Sequence, residues 1–238
     1  IGLSHARGKW IIFADADDFF TADCFTILNE YMDSPHKVIY FNVRFVMSDD
    51  PSQESRRGTY YTNFFNDVNP ENKLRYQSQV PWGKMIRRSF LSTFHIQFDE
   101  TRIANDVYFS CLVGIYAPKV TTDRRIIYYC TESDQSLAMS KQDRESLIIR
   151  FNASMKCNRL LRQEKIHYYL SPLPWCIPSA KTKEWLPAKY FFEYLFFFRL
   201  QAFKELYYAF SAILSHMNEP ATKETDNQCN KKTTNLKE

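Results

Sequence analysis

The sequence is poor in glycine, and its cysteines form no recognisable motif. Only 5 of the 238 residues are glycine, which excludes collagen-like sequence and glycine-rich linkers. The 6 cysteines include no CxxC pair and no Cys/His set at zinc spacing, so a zinc module is not expected. Scattered cysteines favour free thiols over a disulfide framework. A glycine-rich phosphate loop is also missing, which disfavours a nucleotidyltransferase.

The charge balance points to no particular partner. The 31 Lys and Arg residues exceed the 27 Asp and Glu residues by a net charge of +4. The basic residues do not form the stripe typical of a nucleic-acid-binding protein, so no nucleic-acid partner is expected. Aromatic residues are abundant at 16% of the chain. The length suits one globular domain with a helical extension.

The start of the sequence shows no signal-peptide pattern. Ile1 stands only a few residues before an apolar run at 9–14 that ends in acidic residues. We therefore expect the sequence to begin inside a longer domain.

Strand and helix patterns alternate over the first part of the sequence, which predicts an α/β domain. The predicted strands cover 9–14, 38–47, 80–86 and 119–131. The predicted helices cover 22–32, with Thr21 as the N-cap, and 105–116, which Pro118 ends.

The pattern changes after residue 140. A long basic helix is predicted over 143–167, followed by a proline-rich connector and an aromatic helix over 188–214. The polar end of the chain is typical of disorder. We therefore predict three parts: a domain over 1–140, a helical extension over 141–217 and a disordered polar tail over 218–238.

Three carboxylates follow the first predicted strand within four residues: Asp15, Asp17 and Asp18. Like charges this close repel one another, and a bound cation relieves the repulsion. The carboxyl ends of strands in α/β folds are also the usual place for ligands. Oxygen ligands of this kind suit Mg²⁺ or Mn²⁺. The alternative at this point is an acidic loop that only caps the next helix.

Three segments resemble family 2 glycosyltransferases. Residues 2–18, GLSHARGKWIIFADADD, resemble the family's segment that ends in a D-x-D-D motif. PWGK at 81–84 followed by RRSFL at 87–91 resembles a W-N/G-K-L-Y-R-R-x-x-L motif, and FDE at 98–100 followed by NDVYF at 105–109 resembles F-x-E and E-D-x-x-F. The three segments stand in the family's order, and the resemblance covers about residues 1–140.

The resemblance implies a GT-A fold, which is Rossmann-like with a mixed central sheet flanked by helices. Here that fold would be incomplete at the N-terminus, because the family's uridine-binding strand lies upstream of the ADADD segment. The 1–140 part would then hold the metal and acceptor half of the catalytic domain. The resemblance also implies a nucleotide-diphosphate sugar as donor, a UDP-sugar above all, a divalent metal on the diphosphate and inverting transfer with one carboxylate as base.

The same resemblance assigns roles to individual residues. Asp15 and Asp17 would face the ribose and the metal, and Asp18 remains a candidate ligand. Asp106 would be the general base, with a helix-capping aspartate as the alternative. We expect the helix N-terminus to keep it ionised. Asn105 departs from the family pattern, which usually has Glu there.

Four further residues are weaker candidates. Trp82 could stack on a sugar ring and Lys84 could lie near phosphate, or they could be a core tryptophan and a surface lysine. Asp99 and Glu100 are rivals for the base, although such a loop pair is more often a solvated turn.

The sequence thus predicts a glycosyltransferase that acts on a glycan or lipid-linked acceptor in surface polysaccharide biosynthesis, with this chain inactive by itself. The alternative is a catalytically silent fragment that serves as a binding or scaffold module. The aromatic segment 188–214 is interrupted by charges, so it is not a spanning helix. It suggests either packing or peripheral contact with the inner face of the membrane, for an otherwise cytoplasmic protein.

Overall fold

The computed structural model describes residues 2–55, 58–132, 143–176 and 186–207. Contacts divide the chain into a first unit, Ile1–Pro187, and a second unit, Ala188–Glu238. The boundary that the sequence suggested after residue 140 remains a prediction. The tail predicted to be disordered, 218–238, lies outside the described residues.

A five-stranded mixed sheet forms the centre of the first unit. Strands β3 and β5 pair in parallel, while the β1–β4, β3–β4 and β2–β5 pairs are antiparallel. The sheet order is β1-β4-β3-β5-β2, which confirms the predicted mixed sheet. The strands are β1 (Trp10–Ile12), β2 (Phe19–Phe20), β3 (Val38–Met47), β4 (Lys84–Arg87) and β5 (Val120–Glu132).

Helices flank the sheet in the first unit, and the second unit also contains a helix. In the first unit they are α1 (Gly2–His5), α2 (Cys24–Asn29), α3 (Gly58–Phe65), α4 (Pro70–Gln77), α5 (Arg88–Thr93), α6 (Asn105–Tyr116), α7 (Arg144–Gln163) and α8 (Leu173–Cys176). The second unit contains α9 (Ala188–Phe198).

The predicted N-cap at Thr21 is wrong. Helix α2 begins at Cys24, with Asp23 at the cap position and no side-chain capping bond. The Thr21 hydroxyl instead donates to the backbone carbonyl of Ile126 on β5. Since that hydroxyl is engaged with the sheet, it is not available to the first turn of the helix.

Helix α6 lies against α4 at very short range. A Cβ atom on Gly114 would stand 1.7 Å from the carbonyl oxygen of Arg75. The Arg75 side chain also donates to the carbonyl oxygens of Gly114 and Ala117, at 2.9 and 2.8 Å. Glycine is therefore required here by the close approach of two backbones.

Helix α7 also packs against α6. Its buried face places Ala153, Cys157 and Leu161 in one cluster with Val107 and Cys111 of α6. The N-terminal end of α7 is capped by Asp143, which accepts a hydrogen bond from the Ser146 N–H at 2.8 Å. The long helix predicted at 143–167 is present, and it ends at Gln163.

The second unit is bent, which corrects the single helix predicted over 188–214. Helix α9 ends at Phe198, and Arg199 has a φ of 47° before residues 200–207 resume a helical conformation. Tyr194 is buried at the bend, with its Oη 3.1 Å from Glu205 Oε2. Residues 208–214 lie outside the described residues. Within the described ranges, no helix has the length and apolar character needed to cross a membrane.

Candidate active site

The acidic loop, which we define as residues 15–18, follows β1 and is held by aromatic packing. Phe13 makes edge-to-face contacts with Phe98 and Phe109 at centroid distances of 5.2 and 5.3 Å. A backbone hydrogen bond from the Asp18 N–H to the Asp15 carbonyl closes the loop into a turn. The loop therefore starts from a fixed point on the core.

Asp18 anchors the acidic loop to β5. One of its carboxylate oxygens accepts from the Tyr128 hydroxyl at 2.7 Å, and the other accepts from the Thr131 N–H at 2.7 Å. The Tyr128 hydroxyl also accepts a hydrogen bond from the backbone N–H of Asp15. Since both oxygens of Asp18 are engaged by the protein, this carboxylate has a structural role.

Asp17 is in the opposite situation. Its side chain is exposed, and its carboxylate makes no hydrogen bond or ion pair to any residue that the structure describes. Asp15 is exposed as well, and its backbone N–H donates to the Tyr128 hydroxyl. Partial desolvation raises the pKa of its carboxyl, and the charges of Asp18, Asp17 and Asp106 raise it further. The acidic loop thus carries negative charge that the described residues do not neutralise.

Asp106 lies in the first turn of α6, half-buried, and its charge acts on Asp15. The N-cap position is Ala104, whose φ is 53°, so no side chain caps this helix. Burial raises the pKa of Asp106, against the backbone N–H groups and the positive charges of Lys84 and Arg150 that lower it. Burial thus works against the stabilisation of the carboxylate by the helix terminus, and the ionised state expected for Asp106 at neutral pH remains a prediction.

Lys84 is fully buried, so the surface position considered for it is wrong. Its Nζ donates to the Ser78 carbonyl at 3.1 Å and lies 5.6 Å from the centroid of the Tyr40 ring. Burial lowers the pKa of Lys84 to about 7, and the charge of Asp106 opposes that decrease. The phosphate contact remains a prediction, and the structure puts the lysine charge near Asp106.

Trp82 belongs to the aromatic packing beneath the acidic loop. Its ring centroid lies 5.3 Å from that of Tyr61, 5.6 Å from that of Phe45 and 6.3 Å from that of Tyr128, which is parallel to it. Trp82 thereby supports the tyrosine that holds Asp18. Its predicted contact with a sugar ring is untested.

The rival carboxylate Asp99 is engaged elsewhere, which corrects its description as a solvated turn. It forms an ion pair with Lys156 of α7 at 2.8 Å, and the Lys156 ammonium also lies 3.6 Å from the Tyr108 ring centroid. The Asp99 N–H donates to the Asn105 carbonyl. Glu100 is exposed beside it.

A cavity of about 730 Å³ lies beside the segment that contains Asp99 and Glu100. Its walls come from α1, α5 and residues 96–100, with Phe98, Asp99 and Glu100 on the side that leads to the start of α6. Its volume is in the range of ligand pockets. The cavity does not include the acidic loop.

The residues described contain no group of three or more His, Cys, Asp or Glu side chains that could hold a metal ion. The metal site predicted from Asp15 and Asp17 is therefore not present as a preformed cage. Two anchors, Tyr128 and Thr131, were missed because their strand pattern indicated burial alone. Arg150 was missed too, although its spacing from Ala153 and Cys157 places it on the buried face of α7.

Comparisons with known proteins bear on the family and the fold of the chain. Residues 1–94 match the model of the family described as glycosyl transferase family 2. The chain is similar to the structure of S. aureus TarS 1–349 in complex with UDP-GlcNAc, with 18% identity, a TM-score of 0.50 and coverage of 65% of this chain and 44% of that one. A second TarS 1–349 structure matches with 17% identity, a TM-score of 0.47 and coverage of 73% and 45%.

No curated protein matches the sequence. The chain spans less than half the length of the TarS structures that it resembles. The family match includes the acidic loop and both Trp82 and Lys84, while Asp106 lies beyond it. Its resemblance to family 2 glycosyltransferases is thus confirmed over residues 1–94, and the chain has their GT-A fold.

Proposed function

We propose that the chain forms the metal and acceptor half of a glycosyltransferase that takes a sugar from a nucleotide-diphosphate sugar, a UDP-sugar above all. The observation that carries the proposal is the approach of two separate acidic groups. Asp106 at the start of α6 lies close enough to the acidic loop for its charge to act on Asp15. The UDP-GlcNAc bound to TarS supports the choice of donor.

Asp15 and Asp17 are the residues that would hold a divalent cation, Mg²⁺ or Mn²⁺. They fit this role because Asp17 is exposed and unpaired within the described part of the chain. The negative charges of Asp17, Asp18 and Asp106 also act on Asp15, so a cation there would relieve their repulsion. Mg²⁺ commonly uses only one or two protein carboxylates together with substrate phosphates. Such a cation would neutralise charge on the leaving nucleotide. Asp18 then keeps the loop in place.

Asp106 is the proposed general base. The acceptor hydroxyl forms the new bond to the anomeric carbon while the bond to the nucleotide diphosphate breaks, and Asp106 accepts the hydroxyl proton. A single displacement of this kind inverts the anomeric centre. Because burial raises the pKa of Asp106, its basicity is closer to that required near neutral pH.

The cavity beside residues 96–100 is the proposed acceptor region. Its lining combines the Phe98 ring with the carboxylates of Asp99 and Glu100. A sugar presents an apolar face and a rim of hydroxyl groups, so it matches a ring flanked by hydrogen-bond acceptors. A glycan or lipid-linked acceptor in surface polysaccharide biosynthesis is consistent with this lining.

Peripheral contact with the cytoplasmic face of a membrane is part of the proposal for the second unit. Each arm of its bend exposes large apolar side chains: Phe192, Phe196, Leu200, Phe203 and Tyr207. Aromatic faces of this kind bind at membrane interfaces. Flotation with vesicles of anionic lipid tests the idea, since Phe192→Ser with Phe196→Ser should reduce the bound fraction. Equal flotation of the wild type and this double variant would leave packing as the better explanation.

The decisive experiment for the function is a donor screen. The full-length protein is incubated with a panel of UDP- and GDP-sugars and Mn²⁺, and release of the nucleoside diphosphate is measured with and without glycan acceptors. We expect one donor to support release that requires Asp106. Asp33→Asn is a matched control, since that exposed carboxylate pairs with Lys9 and has no part in the proposed site. Absence of release from every donor would favour a silent binding module.

A further inference from the structure

Helix α7 lies outside the family match, yet it borders the candidate active site. At its beginning, Ser146 accepts a hydrogen bond from Arg102 at 3.0 Å. Further along, the Cys157 thiol lies 3.7 Å from the carbonyl oxygen of Val107. Arg150 stands between these two contacts on the helix, so it faces the stretch between residues 102 and 107.

The Arg150 guanidinium is held in an unusual environment. Its Cζ lies 5.2 Å from the centroid of the Trp175 ring, which fixes it by a cation–π contact. Its Nε is buried and has no hydrogen-bond acceptor among the described residues. Burial lowers the pKa of Arg150, and the charge of Asp106 opposes that effect. The nearby carboxylate is therefore the compensating charge that the described surroundings provide.

The charge of Lys84 on β4 also acts on Asp106, so a fully buried lysine and a half-buried arginine act on one carboxylate. Asp15 is the acidic neighbour on the remaining side. Neither cation forms a direct ion pair within the described ranges, and both act on Asp106 as nearby charges. Burying charged groups this way costs stability. Departures from good packing of this kind are expected at functional sites.

We propose that Arg150 is a positioning residue for the general base: its guanidinium, held on the Trp175 ring, faces Asp106 and keeps that carboxylate ionised and directed at the acceptor hydroxyl. The inference rests on the proposed role of Asp106 and extends the site to α7. It gives this helix a part in the chemistry, beyond covering the buried side of α6.

Direct titration of Asp106 tests the proposal without any substrate. The carboxyl carbons of the aspartates are labelled with ¹³C in the full chain, and the Asp106 signal is identified by its loss in Asp106→Asn. In Arg150→Gln, which keeps much of the side-chain volume, the midpoint should move to higher pH because a positive charge is lost. Arg150→Lys should restore most of the shift. Arg102→Gln is the control, because that arginine pairs with Asp143.

Two results would overturn the proposal. One is an unchanged Asp106 midpoint in a folded Arg150→Gln protein, and the other is an equal shift in Arg102→Gln. A purely structural arginine would lower the unfolding temperature and leave the titration of Asp106 in place. The thermal unfolding of all four variants is therefore measured in parallel.

An activity measurement separates this proposal from the proposed function. With a donor that the screen identifies, Arg150→Gln should lower kcat/KM by about 10- to 100-fold, as losses of orienting partners do in other sites. The acid limb of the pH profile of kcat/KM should move to higher pH, together with the titration midpoint of Asp106. If the titration shifts but no donor is turned over, the electrostatic action of Arg150 on Asp106 stands and the proposed function fails. If turnover requires Asp106 but is indifferent to Arg150, the function stands and the positioning role fails.

Discussion

The acidic loop and the start of α6 both carry aspartates, but the two regions place the carboxylates in different environments. In the loop, Asp18 is fixed by two hydrogen bonds of 2.7 Å and Asp17 is left exposed. At α6, Asp106 is half-buried between the charges of Lys84 and Arg150. One region holds a rigid carboxylate beside a free one, and the other surrounds a single carboxylate with cations.

The difference corresponds to two kinds of chemistry. A free carboxylate on an anchored loop suits an ion that arrives with the substrate, because its oxygens are unoccupied. A buried carboxylate with compensating cations suits a proton acceptor, because its basicity is adjusted by its surroundings. Exchanging the two environments would serve neither purpose. The variants below test each half of this comparison.

The largest effect is expected from removing the proposed base, Asp106. Asp106→Asn keeps the shape of the side chain and abolishes proton transfer, so sugar transfer in the full-length protein should fall by roughly 10²- to 10⁴-fold. Donor binding should survive, as measured by calorimetry. Transfer that stays within a few-fold of the wild type would show that Asp106 is only part of the helix terminus.

A pH-dependent stability difference is expected at Lys84. Its pKa in the folded protein is about 7, well below the ordinary lysine value. Below pH 7 the folded protein carries a buried charge, and Lys84→Met should then be the more stable protein by as much as a few kcal/mol. Between pH 7 and the ordinary lysine value only the unfolded chain binds the proton, so the wild type gains stability as pH rises.

Urea unfolding at several pH values measures this difference. The advantage of Lys84→Met should shrink steadily from pH 7 to pH 9. Lys119→Met, at an exposed position, serves as the control and should show no such trend. A constant difference between Lys84→Met and the wild type would mean that the lysine keeps its ordinary pKa.

The anchoring of the acidic loop should appear as a stability cost. Tyr128→Phe leaves one oxygen of Asp18 and the N–H of Asp15 without their partner, so the free energy of unfolding should fall by about 1–3 kcal/mol. Tyr129→Phe on the same strand is the matched control. An equal effect of the two substitutions would contradict the special role given to Tyr128.

The smallest effect belongs to the free carboxylate. Asp17→Asn should weaken Mn²⁺ binding in the presence of UDP by about tenfold, equal to about 1.4 kcal/mol, without a change in unfolding temperature. Asp18→Asn should do the reverse, lowering the unfolding temperature because its two hydrogen bonds are disturbed. If Asp18→Asn alone reduced Mn²⁺ binding, the roles assigned to the two neighbours would have to be exchanged.

Local sequence patterns predicted the helices and strands that carry the site more accurately than the side-chain contacts within it. The strand Val38–Met47 and the helix Asn105–Tyr116 agree with the prediction to the residue, since their β-branched run and helical spacing are unambiguous. Thr21 was misjudged because its hydroxyl had a distant partner on β5. Capping rules count only neighbours in the sequence.

The charges around Asp106 could not be predicted for a related reason. A position near phosphate and a surface position were both considered for Lys84, and its burial comes from elements far away in the sequence that enclose it. Arg150 is separated from Asp106 by 44 positions and by a change of helix. A motif fixes residue types along one segment, whereas the sign and size of a local field depend on the whole fold.

Gly114 helps to fix the position of Asp106 relative to the charges around it. It touches α4 at a point where one added methyl group would overlap the Arg75 carbonyl. Eight residues separate it from Asp106, which is about 12 Å along the helix axis at 1.5 Å per residue. Helix α6 is therefore fixed near its C-terminal end, where Gly114 has no Cβ atom to hold it away from α4, and its N-terminal end carries the Asp106 carboxylate. Any larger residue at position 114 would therefore act at a distance, by shifting α6 along its axis and displacing the Asp106 carboxylate.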